Sequence, residues 1–351
     1  MTLQEAINSI VPADQECQRR AEARLDRLTK PVRSLGRLEE LAARYVAMTR
    51  DEAPKLPRAS IFIMVADHGV ASEGVSAYPS AVTAQMVLNF LRGGAAVNVL
   101  AGHAGAEVRV VDVGVAHDFG TVPGLIARKL APGTRNFLVE PAMSRTQAEA
   151  ALTVGVELAE SAAREGLAVI GTGDMGIGNT TASAAITAVM TALPAARVTG
   201  RGTGLDEQAL TKKIAVIERA LALHHPDPTD PIGVLAAVGG FEIAGLAGLI
   251  LGAAAHRMPV LLDGFIAGAA ALIAAQLQPH SKEYMIASHL SVERGHLPAL
   301  DRLGLKPLLN LDLRLGEGTG ACLALSLLQA SLKILTSMAT FQEAGVSERD
   351  R

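Results

Sequence analysis

A glycine-rich stretch in the middle of the chain has the residue types of an anion-binding turn. Residues 171–181 read Gly-Thr-Gly-Asp-Met-Gly-Ile-Gly-Asn-Thr-Thr. The apolar run 167–170 before it predicts a buried strand, and the uncharged stretch 182–193 after it predicts a buried helix. A loop between a strand and a helix start points free N–H groups at one spot, where the helix dipole adds positive charge. We therefore predict that this stretch binds a phosphate; the alternative is a tight turn without a ligand.

A second group of polar residues follows other predicted strands. Asp67 and His68 come directly after the apolar run 60–66, and residues 288–293 follow the run 283–287. The carboxyl ends of parallel strands share one edge of a sheet, so we expect these clusters to meet there. The histidines among and near them are interpreted as hydrogen-bonded strand-end residues rather than acid–base groups: His68, His289 and His296.

A single carboxylate, Glu317, lies between two glycines just before the apolar stretch 321–338, which predicts a helix. A carboxylate so placed either interacts with the helix dipole, worth about 0.3–1 kcal/mol, or acts as a positioned base. Composition alone favours the dipole interpretation. A second glycine-rich loop, 200–204, and Lys213 in the helix after it are further candidates for binding an anion.

The elements that must position these residues alternate between strands and helices. Strands are predicted at six places: 60–66, 107–113, 167–170, 259–262, 283–287 and 307–311. Between them lie helical patterns such as 144–165, where Ser144 and Gln147 fit a capping box. Residues 121–135 are expected to form an irregular connection. This alternation predicts an α/β fold with a doubly wound, mostly parallel sheet of about six strands.

The ends of the chain are expected to form a small helical subdomain. Residues 1–55 carry apolar residues at helical spacing, with Pro31 predicted to start a new helix. Residues 56–320 form the predicted Rossmann-like α/β domain that carries the candidate site. The helix and tail of residues 321–351 are expected to join the N-terminal segment.

Composition excludes several classes of protein. The 351-residue chain has a net charge of −3 and a pI of about 6.3, so no nucleic-acid footprint is present. Its two cysteines are far apart and form neither a disulfide framework nor a metal motif. The adjacent His224 and His225 are not expected to bind metal, because neighbouring residues diverge on a helix. The polar first twenty residues do not resemble a signal peptide, and we expect a cytoplasmic protein.

Two apolar stretches resemble membrane spans only superficially. Residues 232–255 contain one charge but are interrupted by several glycines, and residues 265–277 are too short to cross a bilayer. Both are interpreted as buried helices, and no membrane association is expected.

Six motifs occur in an order that identifies a family resemblance. They are Asp67-His68-Gly69-Val70, Gly74 to Pro79, Met175 to Thr181, Gly200 to Gly204, Asp263-Gly264-Phe265 and Arg314 to Gly320. Together the motifs closely resemble the nicotinate-nucleotide–dimethylbenzimidazole phosphoribosyltransferases of cobalamin lower-ligand assembly, from about residue 28 to residue 328. That family usually has Glu where this chain has Asp174, so the carboxylate is kept but is one methylene shorter.

The resemblance implies a reaction, its substrates and its site residues. A nitrogen of dimethylbenzimidazole attacks C1′ of nicotinate mononucleotide, nicotinate leaves, and α-ribazole phosphate forms with inversion. Glu317 is implied as the catalytic base, with no cofactor and no metal. A homodimer is implied. The residues implied to bind the nucleotide and its phosphate are Asp174, Gly176, Gly178, Asn179, Thr180, Gly202, Thr203, Gly204, Lys213 and Ser291. Those implied to bind the benzimidazole are Tyr78, Ser80, Gln85, Met86 and Leu315.

Three alternative functions each fit part of the sequence. A phosphoribosyltransferase that uses phosphoribosyl pyrophosphate would show paired acidic residues for magnesium before a Thr-rich loop, and no such pair is seen. A dinucleotide-dependent oxidoreductase would account for a literal GxGxxG match at Gly171, Gly173 and Gly176, but the acidic residue about 20 positions later is absent. A noncatalytic nucleotide-binding regulator would not need Glu317. The preferred acceptor base stays open at this stage.

Overall fold

A single parallel sheet organises the molecule. The structure, a computed structural model, describes residues 1–347, and in that range six strands pair in the order β3-β2-β1-β4-β5-β6. The strands are β1 (Ala59–Ala66), β2 (Glu107–Gly114), β3 (Leu125–Ala127), β4 (Val169–Met175), β5 (Val260–Leu262) and β6 (Met285–Ala287). All five pairings are parallel. The chain fills one half of the sheet and then the other, which confirms the predicted doubly wound α/β fold.

Helices cover both faces of this sheet. The first seven are α1 (Leu3–Ser9), α2 (Gln15–Asp26), α3 (Arg37–Thr49), α4 (Ala81–Leu91), α5 (Ala96–Ala104), α6 (Arg145–Arg164) and α7 (Asn179–Thr191). The next are α8 (Ala195–Val198), α9 (Glu207–His224), α10 (Pro231–Val238), α11 (Phe241–Ala255), α12 (Phe265–Leu277), α13 (His296–Leu303), α14 (Thr319–Ser337) and α15 (Phe341–Ala344). The predicted capping box of Ser144 and Gln147 starts α6.

The centre of the sheet is the pair β1 and β4. All eight residues of β1 are buried, because helices cover both of its faces. Strand β4 extends further than predicted: the sequence suggested that it ends at Ile170, yet pairing with β1 continues to Met175. Gly171 and Gly173 are therefore strand residues. A Cβ at Gly171 would lie 2.3 Å from Ile61 Cδ1, and one at Gly173 2.7 Å from the carbonyl oxygen of Glu317.

The predicted number of strands is right, but one strand was wrongly placed. Residues 307–311 form no strand, and Leu309 makes only an isolated bridge to His289. The sixth strand is instead β3, which lies in the segment expected to be irregular and pairs with Val110 to Asp112. A strand of three residues is too short to show a recognisable alternation of apolar and polar residues, so the sequence did not predict it.

Two helix boundaries also differ from expectation. Residues 31–36 form turns, and α3 begins at Arg37 rather than at Pro31. The apolar stretch 232–255 is split into α10 and α11 at Gly239-Gly240. Position 240 has room only for glycine, because a Cβ there would lie 2.4 Å from the His68 ring.

The N-terminal and C-terminal segments contact each other. Arg24 Nε donates to the Leu335 carbonyl (2.8 Å), the Thr29 N–H donates to the Ala339 carbonyl (3.0 Å), and Leu28 forms a bridge with Thr340. Helix α14 packs on α3 but also on α5, β4 and β5. The C-terminal helix thus links the N-terminal helices to the sheet. Of the predicted C-terminal segment 321–351, residues 348–351 lie outside the described range.

Helix α14 is the helix in the described range that is long and apolar enough to cross a membrane by length and composition alone. More than half of its apolar window is buried inside the protein. Its packing against α3, α5 and the central strands is that of a core helix.

Candidate active site

The polar clusters that follow β1, β4, β5 and β6 converge at one edge of the sheet. A cavity of about 810 Å³ opens there, beside the β1/β4 pair where the strand order reverses. Open α/β sheets bind ligands at this position. Eleven of the predicted site residues line the cavity: Tyr78, Met86, Asp174, Gly176, Asn179, Thr180, Gly202, Thr203, Ser291, Leu315 and Glu317.

Five predicted site residues are not among the residues that line the cavity. These are Ser80, Gln85, Gly178, Gly204 and Lys213. Gly178 packs against His68 and Ala71 at the start of α7, and Lys213 is wholly buried behind Thr180. Both support lining residues from behind.

Glu317 is held at the cavity in a strained backbone conformation. Its φ is +64°, and its neighbours Gly316 and Gly318 have φ of +81° and +92°. Three consecutive left-handed residues are uncommon, and a non-glycine residue among them is a sign of a functional constraint. The side chain is buried, and burial together with the charge of Asp263 raises the pKa of Glu317 to about 7. A carboxyl with this pKa can exchange a proton near neutral pH.

The carboxylate that caps α14 is Asp263, not Glu317. From the end of β5, Asp263 accepts hydrogen bonds from the N–H groups of Gly318 (2.9 Å), Gly320 (2.7 Å) and Ala321 (3.3 Å). Burial raises the pKa of Asp263, while these three donors oppose that shift. Asp263, at the end of β5, thus provides the hydrogen-bond acceptor for the N–H groups at the start of α14. A second carboxylate is not needed there, so the interpretation of Glu317 as a partner of the helix dipole is not required.

Asp174 lies beneath the Glu317 loop. Its Oδ2 accepts a hydrogen bond from Asn179 Nδ2 (2.9 Å), and a Cβ at Gly316 would lie 3.3 Å from its Oδ1. Burial raises the pKa of Asp174 well above its usual range, and the nearby carboxylates Asp263, Glu242 and Glu317 raise it further. Asn179 is therefore committed to Asp174 through one amide hydrogen.

The second glycine loop closes another end of the cavity. The Gly202 N–H donates to Glu293 Oε1 (2.9 Å), and Lys213 Nζ donates to Thr180 Oγ1 (2.7 Å). Because Lys213 occupies an acceptor position of that hydroxyl, the Thr180 O–H is free to donate to a ligand in the cavity. Burial lowers the pKa of Lys213 to about 8, and the charge of Glu293 opposes the shift.

Two of the three histidines, His68 and His296, make hydrogen bonds as predicted, whereas His289 Nδ1 is buried and has no hydrogen-bond partner among the described residues. His68 Nε2 pairs with Glu242 Oε1 at 2.7 Å, and both side chains are completely buried. His296 Nδ1 accepts the Ser291 N–H (2.9 Å), and burial lowers the pKa of His296 to about 3. A histidine that stays neutral and accepts a backbone N–H stabilises the turn after β6. His289 is also buried and borders the cavity.

Residues 1–347 contain no group of three or more His, Cys, Asp and Glu side chains arranged to hold a metal ion. His224 Nε2 instead pairs with the Phe137 carbonyl (2.7 Å). The literal GxGxxG match does not indicate a dinucleotide-binding turn, because Gly171 and Gly173 lie within β4 rather than in a strand-to-helix turn.

Two buried carboxylates that hold the backbone of the site were not assigned as site residues from the sequence. Asp263 and Glu293 follow β5 and β6, so their position after predicted strands was a usable signal. Their partners, the N–H groups of Gly318 and Gly202, come from distant parts of the chain, which only the fold reveals.

An open parallel sheet with a glycine loop at a helix start and a carboxylate over a cavity is typical of nucleotide-binding enzymes. Residues 10–346 match the family described as phosphoribosyltransferase. The chain belongs to the nicotinate-nucleotide–dimethylbenzimidazole phosphoribosyltransferase family.

Proteins of that name are similar to this chain over nearly their whole length. The relative from Geobacter sulfurreducens is 60% identical over 348 residues, covering 99% of each chain. That from Chloroflexus aggregans is 60% identical over 347 residues, covering 99% of this chain and 98% of the relative. The crystal structure of CobT from Thermus thermophilus matches with a TM-score of 0.92 and 50% identity, over 95% of this chain and all of that one.

Proposed function

We propose that this enzyme transfers the phosphoribosyl group of nicotinate mononucleotide to dimethylbenzimidazole, yielding α-ribazole 5′-phosphate and nicotinate for the nucleotide loop of cobalamin. The observation that carries the proposal is the position of Glu317. This buried carboxylate, with its pKa raised to about 7, lines one cavity together with polar residues such as Thr180 and Ser291 and apolar residues such as Met86 and Leu315. Such a cavity suits a phosphorylated donor and a flat aromatic acceptor.

The reaction requires one proton acceptor. The lone pair of one benzimidazole nitrogen forms a bond to C1′ while the bond from C1′ to the pyridinium nitrogen breaks. That nitrogen keeps the electron pair, so nicotinate leaves without being protonated. The other benzimidazole nitrogen gives its proton to Glu317. The negative charge of Glu317 also stabilises the positive charge that develops on the ribosyl group.

The polar end of the cavity is assigned to the nucleotide. Gly176 and Thr180 lie at the start of α7, where the helix dipole favours a phosphate. The Thr180 hydroxyl, backed by Lys213, is oriented to donate. Ser291 and the loop around Gly202 complete this end.

The apolar end is assigned to the acceptor base. Tyr78, Val82, Met86 and Leu315 line it, and Tyr78 and Leu315 are 56% and 55% exposed at its rim. An apolar surface of this kind binds the face of a planar ring without requiring one hydrogen-bonding pattern. We infer that other benzimidazoles are accepted as well.

The active form is proposed to be a cytoplasmic homodimer that needs no metal. One feature supports the cytoplasmic location and another supports the homodimer. Cys17 and Cys322 are both free, as in a reducing compartment. The exposed apolar side chains at the cavity rim suit an interface with a second copy. Sedimentation of the pure protein tests the oligomeric state.

Incubation of the pure protein with nicotinate mononucleotide and dimethylbenzimidazole tests the proposed activity. We expect equal amounts of nicotinate and the α-configured ribazole phosphate, measured by chromatography and NMR. Parallel reactions contain phosphoribosyl pyrophosphate with magnesium, or NAD with a reductant. Product formed only from phosphoribosyl pyrophosphate, or no product at all, contradicts the proposal.

A further inference from the structure

A buried carboxylate behind the second glycine loop has no role in the reaction steps above. Glu293 Oε1 accepts the Gly202 N–H at 2.9 Å across 91 residues of sequence. Its Oε2 is buried and accepts no hydrogen bond from the described residues. A Cβ at Gly200 would lie 2.1 Å from that oxygen, so the loop backbone packs directly on the carboxylate.

The carboxylate extends from a firmly held turn. The Glu293 N–H donates to Ser291 Oγ (3.3 Å), and its carbonyl accepts the His296 N–H (3.0 Å). The Ser291 N–H in turn donates to His296 Nδ1 (2.9 Å). Because these bonds fix the backbone after β6, Glu293 acts as a stable anchor for whatever it holds.

Lys213 lies on the other side of the same loop. It is completely buried, and a Cβ at Gly202 would lie 3.1 Å from its Nζ and 2.8 Å from Thr180 Oγ1. The charge of Glu293 opposes the lowering of the Lys213 pKa by burial, while the direct hydrogen-bond partner of the ammonium is Thr180. The Gly202 backbone is thus confined between an anchoring carboxylate and the ammonium that orients Thr180.

We propose that Glu293 is a positioning residue for the phosphate of the donor. It holds Gly202 through the hydrogen bond to the N–H, and the Gly202 backbone in turn packs against the Lys213 ammonium and the Thr180 hydroxyl. A phosphate at the start of α7 therefore meets a Thr180 hydroxyl and a loop that are already in place. Glu293 borders the cavity, but its carboxylate accepts the Gly202 N–H and carries the same sign of charge as a phosphate, so its proposed role is to hold the loop rather than to bind the phosphate.

This inference rests on the proposed function and predicts a selective effect on donor binding. Glu293→Ala removes both the acceptor and the charge. We expect the KM for nicotinate mononucleotide to rise at least about tenfold, because a buried charged hydrogen bond is lost. The kcat should change less than about threefold, because Glu317 and the acceptor end are untouched.

Two comparisons distinguish a positioning role of Glu293 from a general disruption of the folded enzyme. Nicotinate riboside lacks the phosphate, so its kcat/KM should be nearly the same in Glu293→Ala and in the wild type. Glu293→Gln keeps an oxygen that accepts the Gly202 N–H and should recover most of the loss. Glu218→Ala, which removes an exposed carboxylate of α9, is the matched control and should behave like the wild type.

Calorimetric binding of nicotinate mononucleotide without acceptor makes the test independent of turnover. An inactive wild type that still binds the mononucleotide contradicts the proposed function but leaves the inference testable. If Glu293→Ala binds the mononucleotide as tightly as the wild type, the inference is wrong. Equal weakening of the mononucleotide and the riboside also overturns it. If Glu293→Ala does not fold, Glu293→Asp is measured instead, because its carboxylate is one methylene too short to keep the hydrogen bond from the Gly202 N–H. Normal mononucleotide affinity in Glu293→Asp then overturns the inference.

Discussion

Glu317 shows how a single residue can combine strain, burial and chemistry. Its backbone has a φ of +64° and its carboxyl is buried, both of which cost stability. The structure accommodates these costs because Asp263 holds the following N–H groups in place. This unfavourable state of Glu317 at the cavity supports its proposed role as the base.

Replacement of Glu317 by glutamine should separate binding from catalysis. The amide has nearly the same shape but cannot take a proton, so Glu317→Gln should bind nicotinate mononucleotide normally. Its kcat should fall by roughly 100-fold or more, the scale of lost general-base catalysis. Steady-state kinetics and calorimetry provide the two measurements. Turnover close to that of the wild type would exclude Glu317 as the base.

The pH dependence of the wild type should report the ionisation of Glu317. Its pKa is raised from 4.5 to about 7, and only the ionised form can accept a proton. The kcat should therefore increase as pH rises through about 7 and level off above it. At two pH units below the pKa, kcat should be about 100-fold lower. The residual activity of Glu317→Gln is the control, because any pH dependence left there belongs to the substrates. A wild-type profile that is flat from pH 5 to 8 contradicts the assignment.

At the level of elements, the start of α14 depends on contacts with three strands. Asp263 of the β5 end accepts hydrogen bonds from its N–H groups, Ile61 of β1 packs under Gly318, and the backbone of Glu317 crosses Gly173 of β4. These contacts leave no room for side chains at Gly173 and Gly318, so the loop that carries Glu317 and the sheet fit each other in one arrangement.

Gly318→Ala tests this arrangement. Gly318 has a φ of +92°, and a Cβ would lie 2.4 Å from Ile61 Cγ2, so the variant has both a backbone and a packing penalty. Gly304→Ala is the matched control, because Gly304 has a φ of +71° but open space around it. We expect Gly304→Ala to cost about 1 kcal/mol with unchanged kcat. Gly318→Ala should cost more and lower kcat. Urea unfolding and kinetics measure both, and equal behaviour of the two variants contradicts the argument.

The start of α7 makes a separate prediction about the donor. If Gly176, Thr180 and the Gly200–Gly204 loop bind the 5′-phosphate, nicotinate riboside should be a far poorer donor than the mononucleotide. The loss should appear mainly in kcat/KM, which measures transition-state binding from the free substrate. Equal kcat/KM values for the two donors would show that this site does not bind the 5′-phosphate.

At the scale of the whole molecule, we expect activity without a metal. The donor already carries a cationic leaving group, and the described residues contain no three-residue metal cluster. Turnover should therefore be unchanged in excess chelator. Loss of activity that magnesium restores would favour a pyrophosphate-dependent mechanism instead. The same assay on protein that has been repurified in metal-free buffer controls for a bound metal ion that the chelator removes only slowly.

The sequence alone determined the fold class and the order of the functional motifs. Apolar runs at β1, β4 and β5 separated by helical patterns identified a parallel α/β sheet, because burial on both faces leaves a local signature. The glycine loops and Glu317 could also be identified from the sequence, because turns and helix starts depend on residues that are neighbours in the chain. The resemblance to one family then indicated the reaction.

Only the tertiary structure decided which groups are free to act. Sequence could not show that Asp263 caps α14 and leaves Glu317 unengaged, or that the Gly202 N–H is committed to Glu293. Nor could it place β3 rather than residues 307–311 at the sheet edge. Each of these depends on contacts between residues far apart in the chain. The pKa of Glu317 near 7 is likewise a property of the folded site, because burial and the charge of Asp263 exist only once the strands have assembled.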